Sequence, residues 1–344
     1  MAPSTTTPTP TTTITLPESF KAYVYTSHGT TEDQLKVRHD VPQTPLGPSQ
    51  ARVKVHSAAL NPVDRKVLEH GVGFIRAVPT EDAPFRIGFD AAGTVVEVGS
   101  DVNDDGSSSN NNDKDNDNVG NTFKVATLFG AVGEYVTMDA QFMAPKPANL
   151  DFNQAASVPL AALASYQALA THANVQPGER VLVLGGSGGT GVFAVQIAKA
   201  LSTHVAATTS FRNADFVKAL GVDCIIDYTT HHWADVLDAH SIDCTTAAWN
   251  GAAQRVLAKG PGSGRFVTIL EVAEPAASPI GARFAEILVT PSGEDLRVLT
   301  EWIEKGQIHT VVDSVYPFER LVDTMNRVKS ARARGKVVVQ VATE

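Results

Sequence analysis

The chain has 344 residues, with 28 Lys and Arg against 37 Asp and Glu, for a formal net charge of −9. At about 150 residues per domain this length suggests two domains, long enough to bury a core without disulfide or metal staples. The acidic balance argues against a broad nucleic-acid or anionic-membrane surface. The only two cysteines, Cys224 and Cys244, sit in apolar runs and read as buried thiols with no disulfide framework. No apolar stretch is long enough to span a bilayer.

Residues 1–15 hold eight threonines and three prolines, with no Lys or Arg. They lack both the apolar centre of a secretory signal and the basic residues of a transit peptide. A disordered tail over 1–19 and a cytosolic location are therefore expected. Residues 21–25 and 52–59 read as strands, and 86–98, glycine-punctuated and β-branched, as strands with tight turns. Residues 103–118 are low-complexity, with five Asp and one Lys, and carry −4 of the −9. A segment of that composition buries nothing and is expected to be a loop inserted between two strands. Its Asp113-x-Asp115-x-Asp117 spacing invites a calcium loop, but Asn118 stands where such a loop needs Gly and Lys124 where it needs Glu.

From Asp151 the pattern changes. An alanine-rich helix over 159–170 precedes a strand over 180–184, a glycine loop and a helix over 192–201. Strands over 205–209, 224–227, 242–248 and 265–270 then alternate with helices over 214–220, 233–239 and 252–259. Strands alternating with helices indicate a parallel sheet covered on both faces, and right-handed crossovers make it doubly wound. After Glu271 the alternation stops. A Pro- and Ala-rich segment leads to a strand over 287–290, helices over 294–305 and 318–329, and a last strand over 335–341.

Gly186-Ser187-Gly188-Gly189-Thr190-Gly191 fits G-x-G-x-x-G. It follows Val181-Leu182-Val183-Leu184 directly and opens an apolar helix, the context that makes the pattern a dinucleotide site. Glycines let backbone amides approach a pyrophosphate, and the helix N-terminus adds a positive dipole and unpaired N–H donors. NAD sites place Asp or Glu about 20 residues on to bind the ribose diol. Here the second strand ends Thr208-Thr209-Ser210-Phe211-Arg212-Asn213, with no acid. Ser210 and Arg212 suit a 2′-phosphate, Arg in a bidentate manner, so NADPH is the expected cofactor. Tyr228, ending the third strand, is placed beside the same pocket, and Asn250 is a further expected cofactor contact.

The chain resembles the zinc-independent quinone oxidoreductase branch of the medium-chain dehydrogenase/reductases. The matching pieces are Ala59-Leu60-Asn61-Pro62-Val63-Asp64, Gly88-Phe89-Asp90-Ala91-Ala92-Gly93, Val98-Gly99, Gly133-Glu134-Tyr135 and the run 155–169. The nucleotide loop, Leu220-Gly221-Val222-Asp223, Ile226-Asp227-Tyr228 and Gly335-Lys336-Val337-Val338 complete them. They run in the family's order from about residue 20 to the end. Segments 287–293 and 303–313 look most like the alkenal/enone oxidoreductase subgroup. The resemblance implies a GroES-like, mainly β catalytic domain from both chain ends, 20–150 and 284–344, with an NADPH-binding Rossmann domain, 151–283, inserted. It also implies a homodimer.

Zinc chemistry needs Cys, His and acid ligands. Where zinc-dependent relatives place a ligand Cys this chain looks to have Asn61, and where they place the His of Gly-His-Glu it has Phe89. No zinc is expected. Without a Lewis acid an alcohol is hard to activate, whereas a quinone or enone already accepts hydride. The expected function is NADPH-dependent reduction of a quinone or an α,β-unsaturated carbonyl, with a non-catalytic NADPH-binding sensor or structural protein of the same fold as the alternative. In the resembling family the Asn-Pro turn lies beside the nicotinamide, so Asn61 is the first catalytic candidate. Asp64 is the second, expected to orient that turn rather than donate a proton. Tyr135 reads as core packing. Relatives often carry Leu-Thr-Ala-Tyr where this chain has Leu163-Ala164-Ser165-Tyr166, so a hydroxyl is missing at Ala164, and Ser165 is expected to face elsewhere. Asn213 stands where relatives often have Lys. His70 and Arg76 are the nearby basic groups, and no obligatory general acid is assigned.

Overall fold

The computed structural model describes residues 16–72, 75, 77–102, 121–125, 130–237, 249–260, 262–270 and 275–342, with the backbone course alone for 121–125 and Asn250. Residues 1–15 of the tail expected over 1–19, the acidic segment 103–118, the strand over 242–248, Cys244 and Arg76 fall outside the described residues. Ser19 already belongs to a strand, pairing with Pro42.

One half of the molecule is built on the strand Gln50–Leu60, whose apolar residues Val53 and Val55 are buried. It pairs antiparallel with Asp90–Val98 and, near its other end, with the terminal strand Lys336–Gln340. Tyr135–Asp139 also pairs with it. A seven-stranded sheet results, completed by Val312–Pro317, Asn121–Val125 and Met143–Pro145. A second sheet places Ser19–Tyr25 between Lys36–Pro42 and Phe85–Arg86. The first and last parts of the chain thus share one core, in which Tyr25, Leu68 and Ile87 pack with Phe318, Leu321 and Val339.

The other half is the strand–helix alternation. Arg180–Val183, His204–Thr209 and Cys224–Asp227 form a parallel sheet with His204–Thr209 in the middle. Val181 and Val183 face one core with Val192, Phe193 and Ile197 of the helix Gly191–Ala200. Leu182 faces another with Ala234 and Leu237. Successive residues buried on opposite faces are the signature of a sheet covered on both sides. Each of the fully buried Val, Leu, Ile and Phe side chains among these contributes on the order of 1.5–3 kcal/mol. Arg265–Thr268 and Arg283–Glu286 form a further parallel pair.

Three expectations need correction. Cys224 is exposed rather than buried: it is the first residue of the outermost strand of this sheet, short of the core that covers Ile226 on the same face. The strand expected over 287–290 lies at Arg283–Glu286 instead. Thr290 is held differently: it exchanges two hydrogen bonds with the Gln167 side chain, at 2.7 and 3.0 Å, and Leu288 points to solvent. The helix expected over 252–259 is a π-helical turn, Trp249–Ala253, followed by Gln254–Val256. Among the described residues no helix is long and apolar enough to cross a membrane.

Candidate functional site

Asn61 follows the central strand and caps the helix Pro62–His70, which has Pro at its first position and Gly71 at φ 69° after its end. The residue before a proline is pushed to extended backbone, and Asn61 sits at φ −128°, ψ 159°. Asp64 turns back to accept the Asn61 N–H at 2.7 Å. The antiparallel register places Asp90 opposite Ala59, and Val337 opposite Leu60. Three strands therefore bring Asn61, Asp90 and Lys336 to one point.

All of these side chains are buried. Asn61 Nδ2 donates to Asp90 Oδ2 at 2.9 Å. The Lys336 ammonium donates to Asn61 Oδ1 and to Asp90 Oδ2, the latter at 3.2 Å. Leu160 N–H donates to Asp90 Oδ1 at 2.9 Å. Burial pushes Asp90 upward from the usual carboxylate range, and the Lys336 ammonium and its hydrogen bonds pull against that. Among the described residues Asp64 has only the Asn61 donor, and its Oδ1 has no hydrogen-bond partner. Burial, with Asp90 nearby, pushes it up to about 7. The Tyr25 hydroxyl is also buried without a partner, and burial and the Asp64 charge raise its pKa.

The glycine loop lies against this cluster. Gly335 N–H donates to Ser187 O at 3.0 Å, and Gly188 pairs with Gly335 in a parallel bridge. Within the loop, Gly185 N–H donates to Thr208 Oγ1, Gly186 N–H to Thr208 O and Gly188 N–H to Gly185 O. The N–H groups of Ser187, Gly189 and Thr190 have no hydrogen bond to the described residues, which leaves donors at the N-terminus of the helix Gly191–Ala200. A Cβ on Gly188 would meet nothing closer than Gly185 O at 3.5 Å, so the loop is open there. These features fit a dinucleotide pyrophosphate.

Two cavities flank the loop. One, of about 270 Å³, is mostly apolar and is lined by Ala164, Ser165, Ile269 and Leu270 with Gly188 to Gly191. The other, of about 530 Å³, is lined by Arg212, Arg327, Arg332 and Arg334 with Phe216 and Asp313. Asn213 links the loop to this second cavity, donating to Ser187 Oγ at 3.1 Å and accepting from Arg334 Nε at 2.7 Å. Arg327 is already committed to Asp313 through two bonds of 2.8 and 2.7 Å.

The expected site residues are thus spread over two places. Asn61 and Asp64 belong to the buried cluster. Gly186, Ser187, Gly188, Gly189, Thr190 and Gly191 form the loop, with Arg212 beside it in the arginine-lined cavity. Ser210 begins the short turn Phe211–Asn213, and Tyr228 is exposed, its N–H bonded to Thr209 O. Asn250 lies in the turn Trp249–Ala253, with no side chain described. His70 points to solvent beside Glu69. Ser165 does not face elsewhere: its hydroxyl lies 3.0 Å from Thr190 O and 2.9 Å from Ala161 O, in reach of the loop. Sequence reasoning missed Asp90, Lys336, Arg332 and Arg334 as site residues. The first two stood in quoted motifs, but only pairing across strands shows what they touch.

Two family models match: an alcohol dehydrogenase GroES-like domain over 47–148 and a zinc-binding dehydrogenase over 220–339. A tomato 2-methylene-furan-3-one reductase is 34% identical over 95% of this chain and 81% of its own length. An Arabidopsis thaliana NADPH-dependent alkenal/one oxidoreductase, named as chloroplastic, is 34% identical over 94% of this chain and 80% of its own. The quinone oxidoreductase of Coxiella burnetii superposes with a TM-score of 0.78 at 26% identity, covering 94% of this chain and all of that one. The cytosolic expectation is overturned by such names, since further relatives are also chloroplastic and others mitochondrial. Residues 1–15 lack the basic residues of a transit peptide but are hydroxyl-rich and free of acids, as such segments are. With fold, loop and similarity over nearly all of this chain in agreement, the chain belongs to the quinone and enone oxidoreductase branch of the medium-chain dehydrogenase/reductases.

Proposed function

We propose that this protein is an NADPH-dependent reductase of quinones or α,β-unsaturated carbonyls that works without zinc. The observation that carries the reading is the contact between the glycine loop and the terminal strand, which sets a pyrophosphate cradle directly against the Asn61 cluster. NADPH, when bound, supplies the hydride; the chain's residues bind, orient and exclude water. The free N–H groups of the loop hold the pyrophosphate. Ser210 and Arg212 hold the 2′-phosphate, joined by Arg332 and Arg334 from the arginine-lined cavity, with Tyr228 and Asn250 beside the cofactor. Ala164, Ile269 and Leu270 form an apolar wall that keeps water away. The second Nδ2 hydrogen of Asn61 is the donor assigned to the acceptor's oxygen, where negative charge develops. Asp64 braces the turn through the Asn61 N–H.

Zinc independence rests on donor chemistry. Asn61 and Phe89 are poor zinc ligands, and the Lys336 ammonium already sits between Asn61 and Asp90, where a second cation would be repelled. The names of the relatives, all reductases or oxidoreductases, favour turnover over a non-catalytic sensor. The proposal includes a homodimer, to be read by analytical ultracentrifugation. It also keeps the two-domain division, with the second boundary moved past Glu286, because Arg283–Glu286 pairs with Arg265–Thr268.

The test is NADPH consumption with EDTA present, against a benzoquinone, phenanthrenequinone, acrolein and a long-chain alkenal. Turnover of at least one acceptor is expected. NADPH binding without turnover of any would favour the sensor, and loss of turnover to EDTA would end the zinc-free reading. Preference for an alkenal would place the chain with the enone reductases, and reaction with quinones alone with the broader branch.

Cofactor choice has its own test. Charge-assisted hydrogen bonds are worth about 1.5–3 kcal/mol each. Arg212→Ala combined with Ser210→Ala removes at least two such bonds and should therefore cut the preference for NADPH over NADH by about a hundredfold or more. An unchanged ratio of dissociation constants would show that the phosphate lies elsewhere.

A further inference from the structure

Lys336 touches both halves of the site. Its neighbour Gly335 is bonded to the glycine loop at Ser187 and bridged to Gly188. Its own stem lies on the loop, since a Cβ on Gly189 would come within 3.2 Å of Lys336 Cδ. Its ammonium, with the side chain only 3% exposed, reaches Asn61 Oδ1 and Asp90 Oδ2.

An amide side chain has two orientations of almost the same shape, which differ in where oxygen and nitrogen point. Here only one is compatible with its neighbours. Oδ1 meets the ammonium and Nδ2 meets the Asp90 carboxylate. The flipped amide would set NH2 against the ammonium and oxygen against the carboxylate, two repulsions in a site closed to water.

We propose that Lys336 is a positioning residue that, with Asp90, locks the Asn61 amide in one orientation and ties that lock to the loop that holds the pyrophosphate. A seated cofactor and a correctly presented Asn61 then come as one unit. The inference rests on the reading that Asn61 faces the acceptor.

The experiment compares Asn61→Ala, Lys336→Met/Asp90→Asn and the triple variant with wild type. The paired substitution removes both charges together, so no lone buried ion is left. Melting temperature, NADPH dissociation constant by fluorescence, and kcat and KM with phenanthrenequinone are measured for each. The paired variant is expected to keep its NADPH affinity within about threefold while kcat falls by about tenfold or more, and adding Asn61→Ala should cost nothing further. Lys336→Arg should recover part of the loss. A near-wild-type kcat in the paired variant overturns the proposal, as do losses that multiply in the triple variant, which would mean Lys336 acts independently of Asn61. A wild-type kcat in Asn61→Ala is a different failure: it removes the role assigned to Asn61 itself. Should the paired variant not fold, Lys336→Met alone carries the test, because a buried Asp90 left without the ammonium can take up a proton. This variant is expected to show a lower kcat at unchanged NADPH affinity, and an unchanged kcat overturns the proposal.

Discussion

Gly191→Ala is expected to lower the stability of the whole nucleotide-binding half, whereas Gly188→Ala, three residues away, is expected to spare the fold and damage cofactor binding. A Cβ on Gly191 would lie 2.1 Å from the Gly185 carbonyl oxygen. That oxygen belongs to the turn whose neighbouring amides are fastened to Thr208, so backbone would have to move. Overpacking of this kind costs about 1–3 kcal/mol and more against an unyielding backbone. A drop in melting temperature of about 5–10 °C follows for a unit of this size. At Gly188 the nearest atom to an added Cβ is 3.5 Å away, an ordinary contact. An alanine fits there in the free protein, but it thickens the surface where the pyrophosphate must meet backbone amides. NADPH affinity should fall by about tenfold or more with the melting temperature unchanged. Calorimetry and fluorescence titration of both variants check this. If Gly188→Ala binds NADPH normally, the loop is not the cradle.

The second large effect is on pH. Asp64 is raised from 3.8 to about 7 by burial, with Asp90 adding to the shift and the Asn61 donor and Lys336 opposing it. The groups facing it are Asp90, Lys336 and the Tyr25 hydroxyl. A carboxyl whose folded pKa lies above its unfolded value holds its proton more tightly when folded. Its contribution is therefore fully favourable below about pH 4 and is lost as pH rises toward 7. Three units at about 1.4 kcal/mol each make roughly 4 kcal/mol across that window. Asp64→Asn does not titrate. The stability of the variant relative to wild type should therefore rise between pH 5 and pH 8, as measured by urea unfolding at the two values. A difference independent of pH would show that Asp64 is ionised in the folded protein throughout.

How much was legible in advance depends on how local the determinant is. The glycine loop could be read because its strand, turn and helix are contiguous, and their hydrogen bonds close within a few residues of Thr208 and Gly185. The strand Cys224–Asp227 was placed correctly, yet the exposure of Cys224 was not, because an apolar run looks the same in an edge strand as in a central one. The apolar run 287–290 suggested a strand, but pairing belongs to the less apolar Arg283–Glu286, whose register against Arg265–Thr268 is chosen by the other strand. The arginine cavity escaped notice because Arg332 and Arg334 are more than a hundred residues from Arg212 along the chain.

Taken by itself, the sequence determined the alternating half, the dinucleotide loop, the lack of an acid after the second strand and the family. All of these depend on spacing within one segment, where periodicity and backbone geometry act directly. The tertiary structure alone decided that Lys336, 275 residues from Asn61 and 246 from Asp90, shares a buried site with both. It also decided which way the Asn61 amide points and why the Asp64 carboxyl is pushed up to about 7. Those are properties of groups enclosed together away from water. Burial and a neighbouring charge set the orientation and the protonation there, and neither exists until distant strands have paired.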